Sequence, residues 1–204
     1  MPVILVANPK GGVGKSTIAT NLAGYFSRAG ASTMLGDTDR QQSSRRWLSL
    51  RPATLPVIQN WDIGPDGTVR TPKGISHAVL DTPAGLKGER LKQLLKIADR
   101  VIVPLQPSLF DILATQEFLA RLAERDECTG KIAVVGMRVD ARTRAADQLQ
   151  RFVEGLSLPV LGYLRDTQNY VQLAAHGLTL WDVAPSRVEK DLVQWQNLVA
   201  WASV

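Results

Sequence analysis

Apolar residues fall in short continuous runs that alternate with amphipathic stretches from one end of the chain to the other. Val3 to Asn8, Ser32 to Gly36, His77 to Asp81, Arg100 to Leu105, Lys131 to Val139 and Leu158 to Leu164 have the continuous apolar character of strands buried on both faces. Helical spacing covers Ser16 to Ala29, ended by Gly30, and then Arg45 to Leu50, Glu89 to Ile97 and Asp111 to Glu124. It returns over Ala145 to Gly155, Thr167 to His176 and Val188 to Trp201. The segment from Arg51 to Ile75 is rich in proline and glycine and reads as loop around one candidate strand, Pro56 to Gln59.

Buried strands separated by helices predict an α/β fold with a mostly parallel central sheet and helices on both faces. Ligands of such sheets sit at the carboxyl ends of the strands. Asn8, Asp37, Asp81 and Leu105 all stand at or near ends of that kind, so whatever chemistry they carry converges on one edge.

Composition narrows this only slightly. A chain of 204 residues that is 45% hydrophobic can bury a full core, and one domain spanning 1–204 is expected. The start, MPVILVANPK, enters a strand at once, and no apolar run approaches the roughly 18 residues of a membrane span, so neither a leader nor an anchor is expected. The single cysteine, Cys128, excludes an internal disulfide and argues for a reducing cytoplasm, where it reads as a passive thiol at a helix end. The net charge of +5 points weakly to an acidic partner. Between Asp39 and Asp62 stand Arg40, Arg45, Arg46 and Arg51 and no acid, either a solvated helix face or a polyanion contact.

The chemistry concentrates in NPKGGVGKST, residues 8 to 17. It nearly matches the phosphate-loop pattern G-x-x-x-x-G-K-[ST], with Pro9 in place of the first glycine. A helix beginning just after Gly11, Gly12, Val13 and Gly14 turns free N–H groups and its positive dipole end towards the loop, which suits a phosphate chain. In that pattern Lys15 reaches the β- and γ-phosphates, the Ser16 hydroxyl binds magnesium and Thr17 touches the α-phosphate. Pro9 stiffens the start of the loop without destroying it. Lys10 has no task in this scheme.

KGGVGKST resembles the deviant phosphate loop of the ParA/MinD class of P-loop ATPases. The resemblance implies that Lys10 crosses a dimer interface to the phosphates of the other subunit, so that two protomers sandwich two ATP molecules. GDTDRQQSS resembles the D-x-D-P-Q switch of the class: it implies Asp37 in the magnesium shell and Asp39 positioning the attacking water, the role phosphoryl transfer requires. Arg40 stands where proline is usual, so a more mobile switch backbone is expected; capping of the next helix is the plainer role for both acids. HAVLDTPAG places Asp81 after an apolar strand, as in a Walker B segment holding magnesium, with alanine for the second proline of the family's D-x-P-P switch.

The resemblance runs on through ADRVIVPLQPSLFDILAT, through GMRVDARTRAAD, which implies Arg138 and Asp140 beside the nucleotide, and through GYLRDTQNYVQLAAHGLTLWD. Only the Arg51 to Ile75 loop has no counterpart. With no helix-turn-helix extension ahead of the core, the chain is most similar to the short ParA type, which includes ParF-like partition proteins and carboxysome-positioning relatives.

Within the class, iron proteins that bridge a cluster need two cysteines per subunit, which Cys128 alone cannot supply. MinD-like proteins end in a basic amphipathic helix on lipid. Here the tail VEKDLVQWQNLVAWASV offers Lys190 alone, balanced by Asp191, so its apolar side, with Trp195 and Trp201, reads as core or interface and no membrane partner is expected. The remaining branch implies an ATP-dependent homodimer that binds DNA nonspecifically, with Arg187 nominated first and Arg165, Arg151 and Lys190 after it. Each of these is equally readable as an ordinary surface cation. A ParB-like or cargo-adaptor partner would stimulate slow ATP hydrolysis on the nucleoid. A MinD-like membrane ATPase and a metabolic P-loop ligase of the dethiobiotin synthetase kind are the rival readings.

Overall fold

The computed structural model describes residues 2–62 and 74–203. Seven strands form one sheet: β1 (Val3–Val6), β2 (Thr33–Asp37), β3 (Ile58–Trp61), β4 (His77–Asp81), β5 (Arg100–Leu105), β6 (Ile132–Gly136) and β7 (Val160–Tyr163). Their spatial order is β3-β2-β4-β1-β5-β6-β7, and every pairing among the described residues is parallel. The sheet is thus wholly parallel where the sequence predicted a mostly parallel one. Among the described residues seven α-helices, α1 (Lys15–Arg28), α2 (Ser43–Leu50), α3 (Gly88–Ile97), α4 (Leu109–Ala123), α5 (Arg144–Glu154), α6 (Gln168–Ala174) and α7 (Pro185–Ala202), lie about its two faces.

Alternation along each strand divides the core. Val3, Leu5, Ala78, Leu80, Val101, Val103 and Val134 face α3, α4 and α5. Ile4, Val6, Val79, Ile102, Ala133 and Val135 face α1 and α7, with Trp47 of α2. Each fully buried aliphatic side chain contributes about 1.5–3 kcal/mol. Trp195 of α7 lies fully buried, its indole N–H donating to the Tyr170 hydroxyl at 2.9 Å. The apolar stripe of the tail is therefore core, as its weak charge predicted. No helix among the described residues is long and apolar enough to cross a membrane.

Most boundaries move by one to three residues from the sequence reading. β6 stops at Gly136 rather than Val139 because Arg138 takes φ 53°, a left-handed turn no strand accommodates. The strand expected at Pro56 to Gln59 forms at Ile58–Trp61, pairing with β2 at the sheet edge. The last helix starts at Pro185, whose fixed φ suits a first turn, and bends at Val188. Of the Arg51 to Ile75 loop, residues 63–73 lie outside the described residues.

Candidate nucleotide site

The loop between β1 and α1 is held from beneath. Asn8 donates from its amide to the Pro104 carbonyl (2.8 Å) and to the Thr115 hydroxyl (2.9 Å), and accepts from the Lys10 N–H (2.8 Å). The Gln106 amide donates to the Gly12 carbonyl (2.8 Å). Gly14, at φ 93°, precedes α1, and a Cβ there would stand 2.5 Å from Cε of Met137. The backbone conformation requires glycine, while the flexible tip of Met137 would have to swing aside for a Cβ. No side chain caps α1, so its first N–H groups stay open towards the cleft.

Lys15 is buried and its ammonium donates to the Lys10 carbonyl at 2.6 Å, closing the loop on itself. Burial pulls its pKa below the usual lysine value, against the opposing pull of Asp81 and Asp39. The cleft above it measures about 400 Å³. Gly11, Gly12, Gly14, Lys15, Ser16 and Thr17 line it together with Asp39 and Arg138. Val13 is buried behind the loop.

Asp37 and Asp81 are register partners on adjacent strands β2 and β4. Asp81 Oδ2 accepts from the Ser16 hydroxyl and from the Ser44 hydroxyl, both at 2.6 Å. Its other oxygen, Oδ1, is buried and has no partner. Burial pushes the Asp81 carboxyl up to about 6, against the two serine bonds that favour its charge. Asp37 accepts from the backbone N–H groups of Asp39 (2.9 Å), Ser44 (2.8 Å) and Arg45 (3.3 Å), and burial raises its pKa as well. An orphaned carboxylate oxygen beside a hydroxyl and a second carboxylate is a hard-oxygen donor set of the kind magnesium takes. The residues present fit that ion.

Ser44 was not singled out from the sequence. It lies inside the quoted GDTDRQQSS stretch, and its register on the first turn of α2 is what aims it at both acids. Asp39 is half-buried, with Oδ1 accepting from the Gln41 N–H at 3.0 Å. Asp140 forms an exposed two-pronged pair with Arg142 (2.9 and 2.8 Å), which draws its pKa down to about 2. Asp140 is not among the residues that line the cleft.

Lys10 shares this edge. Its ammonium stands 3.6 Å from Asp111 of α4, with 40% of the side chain exposed. Near Asp111 in sequence, Leu109, Phe110 and Leu113 are exposed apolar residues on the first turns of α4.

The four nominated DNA cations separate. Arg187, Lys190 and Arg151 are exposed. Arg165 is not a free cation: its guanidinium grips Asp191 at 2.6 and 3.3 Å, and Asp191, fully buried, also accepts from Asn169 at 2.6 Å. Removing it would strand a buried carboxylate, so its place is structural. The arginine run divides likewise. Arg40, Arg45 and Arg46 are exposed, whereas the Arg51 side chain is 5% exposed and paired with Asp182. Cys128 is buried beside an apolar cavity of about 380 Å³ far from the phosphate loop, and burial raises its thiol pKa, as suits an inert thiol.

Comparison with known proteins agrees with this geometry. The "CobQ/CobB/MinD/ParA nucleotide binding domain" family matches residues 4–180. Maintenance of carboxysome distribution protein A from Gloeobacter kilaueensis is 29% identical over 182 residues, covering 87% of this chain and 83% of that protein. The chromosome-partitioning ATPase Soj of Thermus thermophilus is 29% identical over 183 residues, covering 72% and 73%. A plasmid partition protein of Borrelia burgdorferi bound to AMPPNP superimposes with a TM-score of 0.72 at 17% identity, over 98% of each chain. A match over most of the chain to that domain family, on a phosphate loop built as described, makes this chain a member of the CobQ/CobB/MinD/ParA family and an ATPase of its ParA/MinD class.

Proposed function

We propose that the chain is a positioning or partition ATPase whose ATP-bound form is a DNA-binding homodimer. The observation that carries the reading is the gathering of Lys15, Ser16, Asp37, Asp39 and Asp81 on the same carboxyl edge from which Lys10 projects, half-exposed.

Lys15 and the open amides of α1 hold the β- and γ-phosphates, and Thr17 the α-phosphate. Ser16, Asp37 and Asp81 are the residues that would hold magnesium, which when bound neutralises phosphate charge. Asp39 positions the attacking water. Arg138 stands where it can reach the nucleotide, and Asp140 lies beyond it towards the base side. Lys10 leaves Asp111 and completes the triphosphate site of a second copy. The contact it gives up is partly exposed and worth at most about 1 kcal/mol. Asp111 offers one negative charge at a partly exposed site whereas a triphosphate offers several, so the exchange favours phosphate.

Arg187, Lys190 and Arg151 supply sequence-blind phosphate contacts to DNA in this reading. A ParB-like or adaptor protein accelerates hydrolysis, and the ADP form releases the DNA. The carboxysome and chromosome roles in the names of the relatives support a cargo of this general kind.

The test is DNA retention measured with ATP, with ADP and without nucleotide, for wild type, Lys10→Ala and Lys15→Gln. Wild type should bind only with ATP and neither variant should bind. Equal binding by all three proteins in every state refutes the cycle.

A further inference from the structure

We infer that Arg90 of α3 is a positioning residue for hydrolysis, setting the angle of Asp39 by fixing the peptide between Thr38 and Asp39. The inference rests on the reading of Asp39 as the residue that orients water.

Thr38 lies between the two switch acids, and its own N–H and hydroxyl are both spent on the Asp81 carbonyl, at 3.0 and 3.1 Å. The peptide that follows has two polar ends. Its N–H, belonging to Asp39, donates to Asp37 Oδ1 at 2.9 Å. Its carbonyl, belonging to Thr38, accepts from Arg90 Nη2 at 2.7 Å. A peptide plane held at one end can flip by opposite rotations of the flanking ψ and φ with little movement elsewhere. Held at both ends it cannot, and the Asp39 side chain keeps its aim into the cleft.

Among the described residues, the Thr38 carbonyl is the polar partner that accounts for where Arg90 sits. Arg90 lies in the first turn of α3, where a cation opposes the helix dipole. It forms no ion pair among the described residues, and its hydrogen bond to Thr38 reaches across to the other switch segment. Because α3 begins just beyond the Pro83 to Gly85 turn that follows Asp81, the same bond ties the two switch segments together.

The experiment measures single-turnover hydrolysis of Mg-ATP, ATP affinity and melting temperature for wild type, Arg90→Ala, Arg90→Lys and Asp39→Ala. Misplacing a reacting group by about 1 Å can cost on the order of a hundredfold in rate. Arg90→Ala should therefore slow hydrolysis by roughly ten- to a hundredfold with ATP affinity within about twofold of wild type, and Arg90→Lys, still able to donate, should recover most of the rate. The inference is overturned if Arg90→Ala hydrolyses normally while Asp39→Ala does not. It is overturned equally if ATP affinity falls in step with rate, which would make Arg90 a nucleotide ligand, or if lysine fails to rescue. An Asp39→Ala protein of normal rate sinks the assignment of Asp39 instead.

Discussion

Replacing Arg51 with alanine separates an arginine that holds the fold from arginines that face solvent. Arg51 follows α2 directly, and its guanidinium donates to both Asp182 oxygens (2.8 and 3.1 Å) and to the Gly177 carbonyl (3.3 Å). The Asp182 side chain is fully buried; among the described residues it keeps, without Arg51, the Thr179 N–H (2.8 Å), the Thr179 hydroxyl (2.7 Å) and a distant Arg28 at 4.0 Å. The backbone is tight here too: a Cβ on Gly177, at φ 66°, would meet the Arg51 nitrogen at 2.5 Å. Breaking one side of a buried ion pair costs about 3–5 kcal/mol. For a chain of this size each kcal/mol shifts melting by about 2–4 °C, so Arg51→Ala should melt about 6–20 °C lower. Arg46→Ala, at an exposed position, should stay within about 0.5 kcal/mol of wild type. Burial acts to raise the Asp182 pKa, but the Arg51 and Thr179 bonds outweigh it and leave it lowered. A lowered carboxylate pKa stabilises above the unfolded value and the gain is lost as pH falls through the folded one. The gap between wild type and Arg51→Ala should accordingly hold from pH 7 down to about 4, the ordinary aspartate value, and narrow only below it. Calorimetry on the three proteins is the assay. An Arg51→Ala protein melting within 2 °C or so of wild type at pH 7 would refute the buried-clamp argument.

Asp81 gives a pH prediction of opposite sign. Its carboxyl is pushed up to about 6, so the fold favours the protonated acid, and that stabilisation is fully present below the unfolded carboxylate value and lost as pH rises through 6. The charged form needed as a metal ligand appears over the same interval. Mg-ATP affinity should weaken about tenfold at pH 5 relative to pH 7, and Asp81→Asn should be weak at both and show a flatter profile; parallel profiles would remove Asp81 from the metal shell. Asp111→Asn should lower the ATP concentration for half-dimerisation by up to about fivefold, the value of one partly exposed ion pair. Light scattering against ATP concentration reads this, and a rise would show that Asp111 helps the dimer rather than restrains Lys10.

The phosphate loop was legible because its working parts are consecutive, and Asp37 and Asp81 because strand ends in a parallel sheet share an edge. Helix and strand limits were legible to within a turn. What the chain hid depends on partners distant in sequence. Ser44 meets Asp81 across 37 positions, Arg90 meets Thr38 across 52, Gln106 meets Gly12 across 94 and Arg51 meets Asp182 across 131. The Arg165 pairing was hidden for the same reason: beside Asp166 and Thr167 it looks like a surface cation, and only folding brings buried Asp191 to it. Arginine carries the same charge whether it faces a polyanion or anchors a core carboxylate, so composition could not separate the two.

Helix α2 is a short rod riveted at both ends. Its first turn is fastened through Ser44 to the acids at the phosphate edge, and the residue just past its last turn is fastened through Arg51 to the segment that leads into α7. At 1.5 Å per residue its eight residues span about 12 Å. A rod so held cannot slide or roll freely. A shift of the acids therefore strains the contacts of Ser44 or of Arg51, and Asp182, which Arg51 grips, precedes in sequence the first turn of α7, where Arg187 stands.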